Sequence, residues 1–383
     1  MSKVAIEGNA SGTGTLTIAA PNTNTNYSLA LPEEAGTITT SNSPYSTFRN
    51  RIINGDMRID QRNAGAAVTV SGSYSVDRFP IVNSTDGAFS AQQDSSAPAG
   101  FVTSLKYTTT TADASLSASQ YSFIDQWIEG TNVADLAWGT ANAKTVTLSF
   151  WVRSSLTGTF GGALRNSDNN RSYPFTYTVS VADTWEYKTV TIPGDTSGTW
   201  LTTTGRGMAC NFGLGVGTDF SNTAGAWAGA NYLSATGAVS VIGTLNATWY
   251  VTGVQLEVGS VATPFERRPY TTELQLCQRY YYQISYATSS QTSIIGFSRG
   301  PTVCYFNLTN PIIMRTTPTV AFTGTAPAWN DGAGNYTISS PAATDATFNN
   351  SFYAFMTGAT AYRPGQIFGN GGGGGVTTFS AEL

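Results

Sequence analysis

The sequence predicts an all-β protein built from antiparallel sandwiches, and three observations carry that expectation. Only 11% of its 383 residues are charged, against roughly 25% in typical globular chains. Short runs of period-2 alternation, bounded by Gly, Asn, Ser and Asp, recur along the chain, and no convincing amphipathic helix interrupts them. The longest such run opens residues 248–270, TWYVTGVQLEVGSVATPFERRPY. Alternation places Tyr250, Thr252, Val254, Leu256 and Val258 on one side, the expected core face, and Trp249, Val251, Gly253, Gln255 and Glu257 on the other. Gly259 and Ser260 break the ladder, and Pro264 and Pro269 forbid its continuation because each ring removes a backbone donor. A domain is expected to end there.

Composition bounds the chemistry. At 383 residues the chain is long enough for two or three units of roughly 150 residues. A net charge of −4 offers no basic footprint for phosphates, so nucleic acid is not an expected partner. The absence of histidine removes Ser-His-Asp, Cys-His and HExxH chemistry together with the commonest zinc ligand. Cys210, Cys277 and Cys304 are odd in number and far apart, which suits buried reduced thiols rather than a disulfide framework or a metal knuckle. No cofactor motif is present. The opening MSKVAIEGNASG lacks an apolar signal core, and no apolar run approaches the roughly 20 residues that span a bilayer. A soluble chain made in the cytosol, without membrane insertion, is expected.

Taken in order, residues 13–40 (TGTLTIAAPNTNTNYSLALPEEAGTITT) hold three short alternating segments separated by turns. They are too small for a core, so they need copies of themselves or a partner to pack against, or else form a disordered tail. Residues 41–47 are a linker. In 48–65, Ile53 before Asn54 and Gly55 marks a strand entering a turn, and Met57 and Ile59 alternate with Arg58 and Asp60. Strands are expected at 101–108, 145–153, 175–181, 185–192, 208–216 and 239–242, a strand and turn at 120–130, and a short helix around 132–138. In 145–153, Val146, Leu148, Phe150 and Val152 form the core face. After Pro269 a crossing segment leads into a strand at Tyr280, Tyr281 and Tyr282, followed by strands at 293–298, 302–308, 318–323, 336–339, 351–356 and 376–383. The glycine run 369–375 is either a flexible linker or a close-approach surface at a symmetry axis or binding rim.

Several of these stretches resemble known sequences. GTLTIAAPNTNTNYSLALP is similar to the N-terminal shafts of bacteriophage tail-fibre proteins. INGDMRIDQR with VDRF, and then FIDQWIEG, AKTVTLSFWVRSS, RSYPFTYTVS, TWEYKTVTIPGDTSGTW, GLGVG and the block from 249 to 282, resemble a carbohydrate-binding-module-like jelly roll of phage virion proteins, with Phe79 where a tryptophan is usual. The resemblance implies a virion-anchoring, trimerising segment over 1–47, a jelly roll over 48–268 and a smaller C-terminal β domain over 269–383. It implies a virion protein assembled in the bacterial cytoplasm as a homotrimeric tail fibre. Its partners would be other copies of itself, virion proteins and a host cell-surface polysaccharide; a head-decorating fibre uses the same modules.

Candidate sites are few. Hydrolysis of a glycan needs two carboxylates about one cleft, and Asp125 with Glu129, Glu186 with Asp195, and Glu33 with Glu34 are the pairs close in sequence. None sits in a motif, so no enzyme is expected and a depolymerase is the rival. GLGVG at 213–217 lacks the helix and the Lys of a phosphate loop. Sugar binding would use ring faces beside polar groups. Trp127, Trp138, Trp151, Trp200, Trp227 and Trp329 are the candidates, with Arg153 and Asn211 as polar neighbours, each having core packing as its plainer role. Trp185 and Trp249 look structural. Pro264, Glu266, Arg267, Arg268 and Pro269 are expected to form a structural junction, the charges locking the exit from the jelly roll.

Overall fold

The computed structural model describes residues 48–286, 292–309, 311–325, 327–343, 349–368 and 375–383. The strands expected in 13–40, the 41–47 linker and residues 369–374 of the glycine run lie outside the described residues. Strands β1 (Tyr74–Val76), β2 (Phe79–Asn83), β3 (Ala88–Asp94), β4 (Ser104–Thr111), β5 (Tyr121–Glu129) and β6 (Val146–Ser154) begin the described β structure. They are followed by β7 (Gly158–Asn166), β8 (Ser172–Val179), β9 (Glu186–Ile192), β10 (Arg206–Val216), two-residue strands β11 (Ser221–Asn222) and β12 (Ser234–Ala235), and β13 (Thr248–Val258). Two sheets result, in the orders β1-β2-β5-β10-β7-β8 and β3-β4-β13-β6-β9. They enclose one core as an all-β jelly-roll sandwich.

Alternation builds that core. Val146, Leu148, Phe150 and Val152 of β6 are all buried, as expected, and face Ile124 and Ile128 of β5 and Met208, Cys210, Phe212 and Leu214 of β10. Each such side chain contributes roughly 1.5–3 kcal/mol on leaving water. In β13 the expected core face needs correction. Trp249 and Val251 point inward, and then Val254 and Leu256, because the register against β6 slips between Thr252 and Gln255. Gly253 sits in that slip with φ +62°, and a Cβ there would meet the Phe101 ring at 2.7 Å. This bulge exchanges the two faces of the strand.

Three further expectations are corrected. Residues 51–65 contain no strand; Asn54 and Met57 take positive φ. The loop is held by the Asn54 side chain, which donates to the carbonyls of Ile59 and Asp77 and accepts from Ile59 N–H. Residues 239–242 are buried at Val241 and Ile242 without forming a strand. The short helix near 132–138 is two 3₁₀ turns, Gly130–Asn132 and Ala134–Leu136, and an α-helix lies elsewhere: α1 (Tyr270–Gln278), entered from Pro269 where a crossing segment was expected.

Beyond α1 come β14 (Tyr281–Tyr286), β15 (Thr292–Gly300), β16 (Val303–Thr309), β17 (Thr319–Gly324) and β18 (Ala328–Asn330). After them stand β19 (Asn335–Thr337), β20 (Ser339–Ala343), β21 (Asn349–Phe355), β22 (Pro364–Phe368) and β23 (Gly375–Ser380). A three-stranded sheet β14-β23-β17 and a seven-stranded sheet β19-β18-β22-β15-β16-β21-β20 enclose a second core that includes Phe306, Trp329, Phe352 and Phe379. A small third cluster, Ile53, Ile59, Cys277 and Tyr280, joins the 51–65 loop to α1. All three cysteines are free and buried.

Candidate functional site

The outward side of β5 carries Tyr121, Phe123, Asp125 and Trp127 in strict alternation, because its inward side is spent on the core. Opposite them on β10 stand small side chains: Gly213 pairs with Phe123, Asn211 with Asp125 and Ala209 with Trp127. The next strand, β7, places Arg165 beside Ala209. The middle strand is therefore a trough between two walls. The segment after β10 folds over one end, where a Cβ on Gly161 or Gly213 would come within 2.3 and 2.6 Å of the Ser234 hydroxyl. It brings Phe220, whose ring meets Tyr121 edge-on at 5.0 Å, and Asn231 and Leu233. With Tyr74, Pro80, Val82 and Leu383 at the rim, the groove encloses about 410 Å³.

Charge is concentrated on its floor. Asp125 is only 3% exposed, lies 3.5 Å from the Arg165 guanidinium through Oδ2, and its Oδ1 accepts no hydrogen bond among the described residues. Arg165 is fixed from three other directions, donating to the side-chain oxygens of Asn211 (3.0 Å), Asn169 (2.9 Å) and Asn231 (2.8 Å). Its guanidinium lies 5.5 Å from the Trp127 ring and 5.6 Å from Phe123, and that of Arg206 lies 4.9 Å from Trp127. Burial pushes the Asp125 carboxyl up to about 6 against the pull of Arg165, Arg206 and Arg78. Burial also lowers Arg165. At neutral pH the groove thus presents a mostly ionised acceptor and a pre-positioned donor between ring faces. A polyhydroxylated ring matches that set: its C–H face covers an aromatic ring, one hydroxyl donates to Asp125 and a neighbour accepts from arginine.

The expected tryptophans divide into four groups. Trp127 is half-buried in the groove. Trp138, Trp200 and Trp227 converge elsewhere, with ring centroids 4.7, 5.2 and 5.5 Å apart. Their indole N–H groups are spent on the carbonyls of Lys144, Ser197 and Pro193, so this cluster packs against one part of the core. Trp329 is a correction: it is wholly buried against Phe306 in the second core, closed to a ligand. Trp151 and Arg153 lie on the outward side of the opposite sheet, where Arg153 donates to Ser96 and pairs with Asp183. Trp249 is fully buried and donates to the Tyr177 hydroxyl.

Among the described residues, Glu129, Asp195 and Glu186 are each engaged by a cation. Glu129 shares the outward side of β5 with Asp125, but its oxygens are taken by Arg279 at 2.6 and 2.8 Å and by the Tyr280 hydroxyl at 2.9 Å. Asp195 is held bidentately by Arg171 and Glu186 by Lys188 and two backbone N–H groups. Glu33 and Glu34 lie outside the described residues. No group of three metal-ligating side chains occurs among the described residues.

At the junction, Glu266 accepts the backbone N–H groups of Phe48 and Asn50, and Pro264 accepts from Arg49. Arg268 is buried, donating to the carbonyls of Ile52 and Asn50 and pairing with Glu266 and Glu273. Pro269 leads into α1. Arg267 takes no part in this network and points to the solvent side. The groove residues Tyr121, Phe123, Arg165 and Arg206 were not among the sequence candidates. The rings and acid alternating in YSFIDQW are the signal that could have found the first two.

No family model matches the chain, and no curated protein matches it. Among solved structures it is similar to the enzymatically active domain of bacteriophage CBA120 tailspike protein 4, at 12% identity and TM-score 0.31 over 57% of this chain. The chain spans 22% of that tailspike. It is also similar to a family 61 carbohydrate-binding module in complex with β-1,4-galactotriose (8%, TM-score 0.28, 55% of this chain and 99% of that one). A family 11 module from Clostridium thermocellum in complex with a mixed-linked tetrasaccharide matches at 11%, TM-score 0.27, over 52% of this chain and 100% of that one. The TM-scores lie below 0.5, so the functional reading rests on the groove itself.

Proposed function

We propose that the chain is a non-catalytic glycan-binding component of a bacteriophage virion, a homotrimeric tail fibre whose groove on the β5-β10-β7 face takes a host-surface polysaccharide. The observation that carries the glycan reading is Asp125: a carboxylate buried on the floor of an open groove, flanked by Phe123 and Trp127, with one oxygen left without a donor among the described residues. Leaving a buried acceptor unsatisfied costs roughly 1–3 kcal/mol, a cost that a ligand hydroxyl relieves once the carboxyl turns that oxygen into the groove. The virion setting is supported by the sequence resemblance of residues 13–40 and of the sandwich strands. The non-catalytic part is supported by Glu129, whose oxygens are already engaged and which leaves Asp125 without a second free carboxylate. Several copies per particle would multiply a modest affinity for each groove.

The test is retention of the full chain on immobilised capsule and lipopolysaccharide from the host, with reducing ends counted in parallel and the mass in solution measured. Saturable retention without new reducing ends, from a particle of three chains, is expected. A clear rise in reducing ends would turn the reading to a depolymerase, and failure to be retained on any host glycan would remove the adhesin.

A further inference from the structure

The opposite sheet carries a second recess that the groove does not explain. The bulge in β13 leaves Gly253 as its floor, and Phe101, Trp151, Tyr187 and Phe265 stand around it, enclosing about 460 Å³. Trp151 and Tyr187 are directly paired across β6 and β9, with rings 5.4 Å apart. Phe101 and Phe265 meet edge-on at 5.3 Å. Arg267 lies across this second pair, its guanidinium 4.5 Å from Phe101 and 5.8 Å from Phe265.

Three side chains around these rings offer donors, the Arg267 guanidinium, the Trp151 indole N–H and the Tyr187 hydroxyl, beside the hydroxyls of Ser149 and Thr263. Arg267 is exposed and has neither a carboxylate partner nor a hydrogen-bond acceptor among the described residues, although Arg268 beside it has several. The Trp151 indole N–H and the Tyr187 hydroxyl likewise have no partner among the described residues. No carboxylate lines the recess; Glu266 is turned away to the Phe48 and Asn50 N–H groups. The groove on the other sheet, by contrast, has a carboxylate at its centre. A bare inorganic anion would satisfy the guanidinium and leave the rings wet. An apolar peptide side chain would cover the rings and leave three donors unmet. A pyranose carrying a carboxylate does both, laying its C–H face on the rings and its charge on Arg267.

We propose that this recess is a second binding site, for an acidic sugar of the uronate or sialate class. It is independent of the groove around Asp125, and the two are separable by variants. The full-length protein is titrated, with ligand-observed nuclear magnetic resonance, against digalacturonate, a glucuronate disaccharide and sialyllactose, with lactose and the dimethyl ester of digalacturonate as uncharged controls. Arg267→Gln, which removes an exposed side chain outside the cores, is expected to weaken the acidic ligands about tenfold or more, the worth of a hydrogen bond to a charged group, and to leave the ester unchanged. Trp151→Ala is expected to abolish the same binding, and Trp127→Ala to leave it intact even if the groove binds nothing. The proposal is overturned if no acidic sugar binds the wild-type protein more tightly than it binds the Arg267→Gln variant.

Discussion

Asp125 and Arg165 face each other 3.5 Å apart across the middle strand of the six-stranded sheet, yet the second oxygen of Asp125 has no donor among the described residues. The pair is under-satisfied for a structural ion pair.

That burial sets a pH dependence. The Asp125 carboxyl is raised from 3.8 to about 6 by burial, and so is that of Asp77, where burial outweighs Arg62 and the Gln61 hydrogen bonds. Between pH 4 and 6 the folded chain therefore holds more protons than the unfolded one, and stability falls as pH rises through that window, by on the order of 2–3 kcal/mol per group. Below about pH 4 the contribution is fully present. Glu129 and Glu186, held below their ordinary value, act in the opposite direction but below about pH 4.5. Urea midpoints measured from pH 4 to 7 should decline and then level off above pH 6, and Asp125→Asn should remove its share of the decline while Asp77 keeps the rest. A stability that climbs steadily from pH 4 to 7 would contradict the burial of both groups.

Adjacent arginines should behave oppositely. Arg268→Ala removes the partner of buried Glu273 and should cost about 3–5 kcal/mol, as breaking a buried pair does. Arg267→Ala touches no such network and should fall within about 0.5 kcal/mol of wild type. Thermal or urea unfolding of the two variants side by side checks this.

The converged tryptophans should matter for folding and not for binding. Trp138→Ala opens the centre of the cluster and should cost about 3–5 kcal/mol, while glycan affinity, measured where the variant is still folded, stays at the wild-type value. An unchanged unfolding midpoint would move this cluster from packing to ligand contact.

Gly253 should resist substitution. Alanine there takes a left-handed conformation costing roughly 1–2 kcal/mol and drives its Cβ into Phe101, so Gly253→Ala should destabilise the fold and broaden the resonances of the Trp151 recess. A neutral effect would mean that the bulge is dispensable.

Much of the sandwich was legible because one face of each strand is buried and the other is wet. The alternation of Val146, Leu148, Phe150 and Val152 locates β6 to within a residue, and the runs at 185–192 and 208–216 do nearly as well. Strand β7 was missed because Gly158, Gly161 and Gly162 dilute its pattern, and two of them serve close approaches, Gly161 to Ser234 and Gly162 to the Phe175 ring. In β13 a period-2 rule cannot anticipate a bulge, so half of its face assignment was inverted. Helix α1 buries little besides Glu273 and Cys277 and gives no apolar stripe to read. Trp127 could be named from its residue type. Arg165 could not, since its importance comes from standing two strands away from Asp125 in the sheet, a relationship set by topology.

In the proposed reading, the face of β5 carrying Asp125 and Trp127 holds a glycan. Calorimetric titration of wild-type protein and the Trp127→Ala variant with the host polysaccharide fragment that is best retained tests it most directly. Loss of a central aromatic contact should cost at least about 2 kcal/mol, a weakening of roughly thirtyfold, with the unfolding midpoint nearly unchanged because the ring is only half-buried. Equal affinities for the two proteins would overturn that reading.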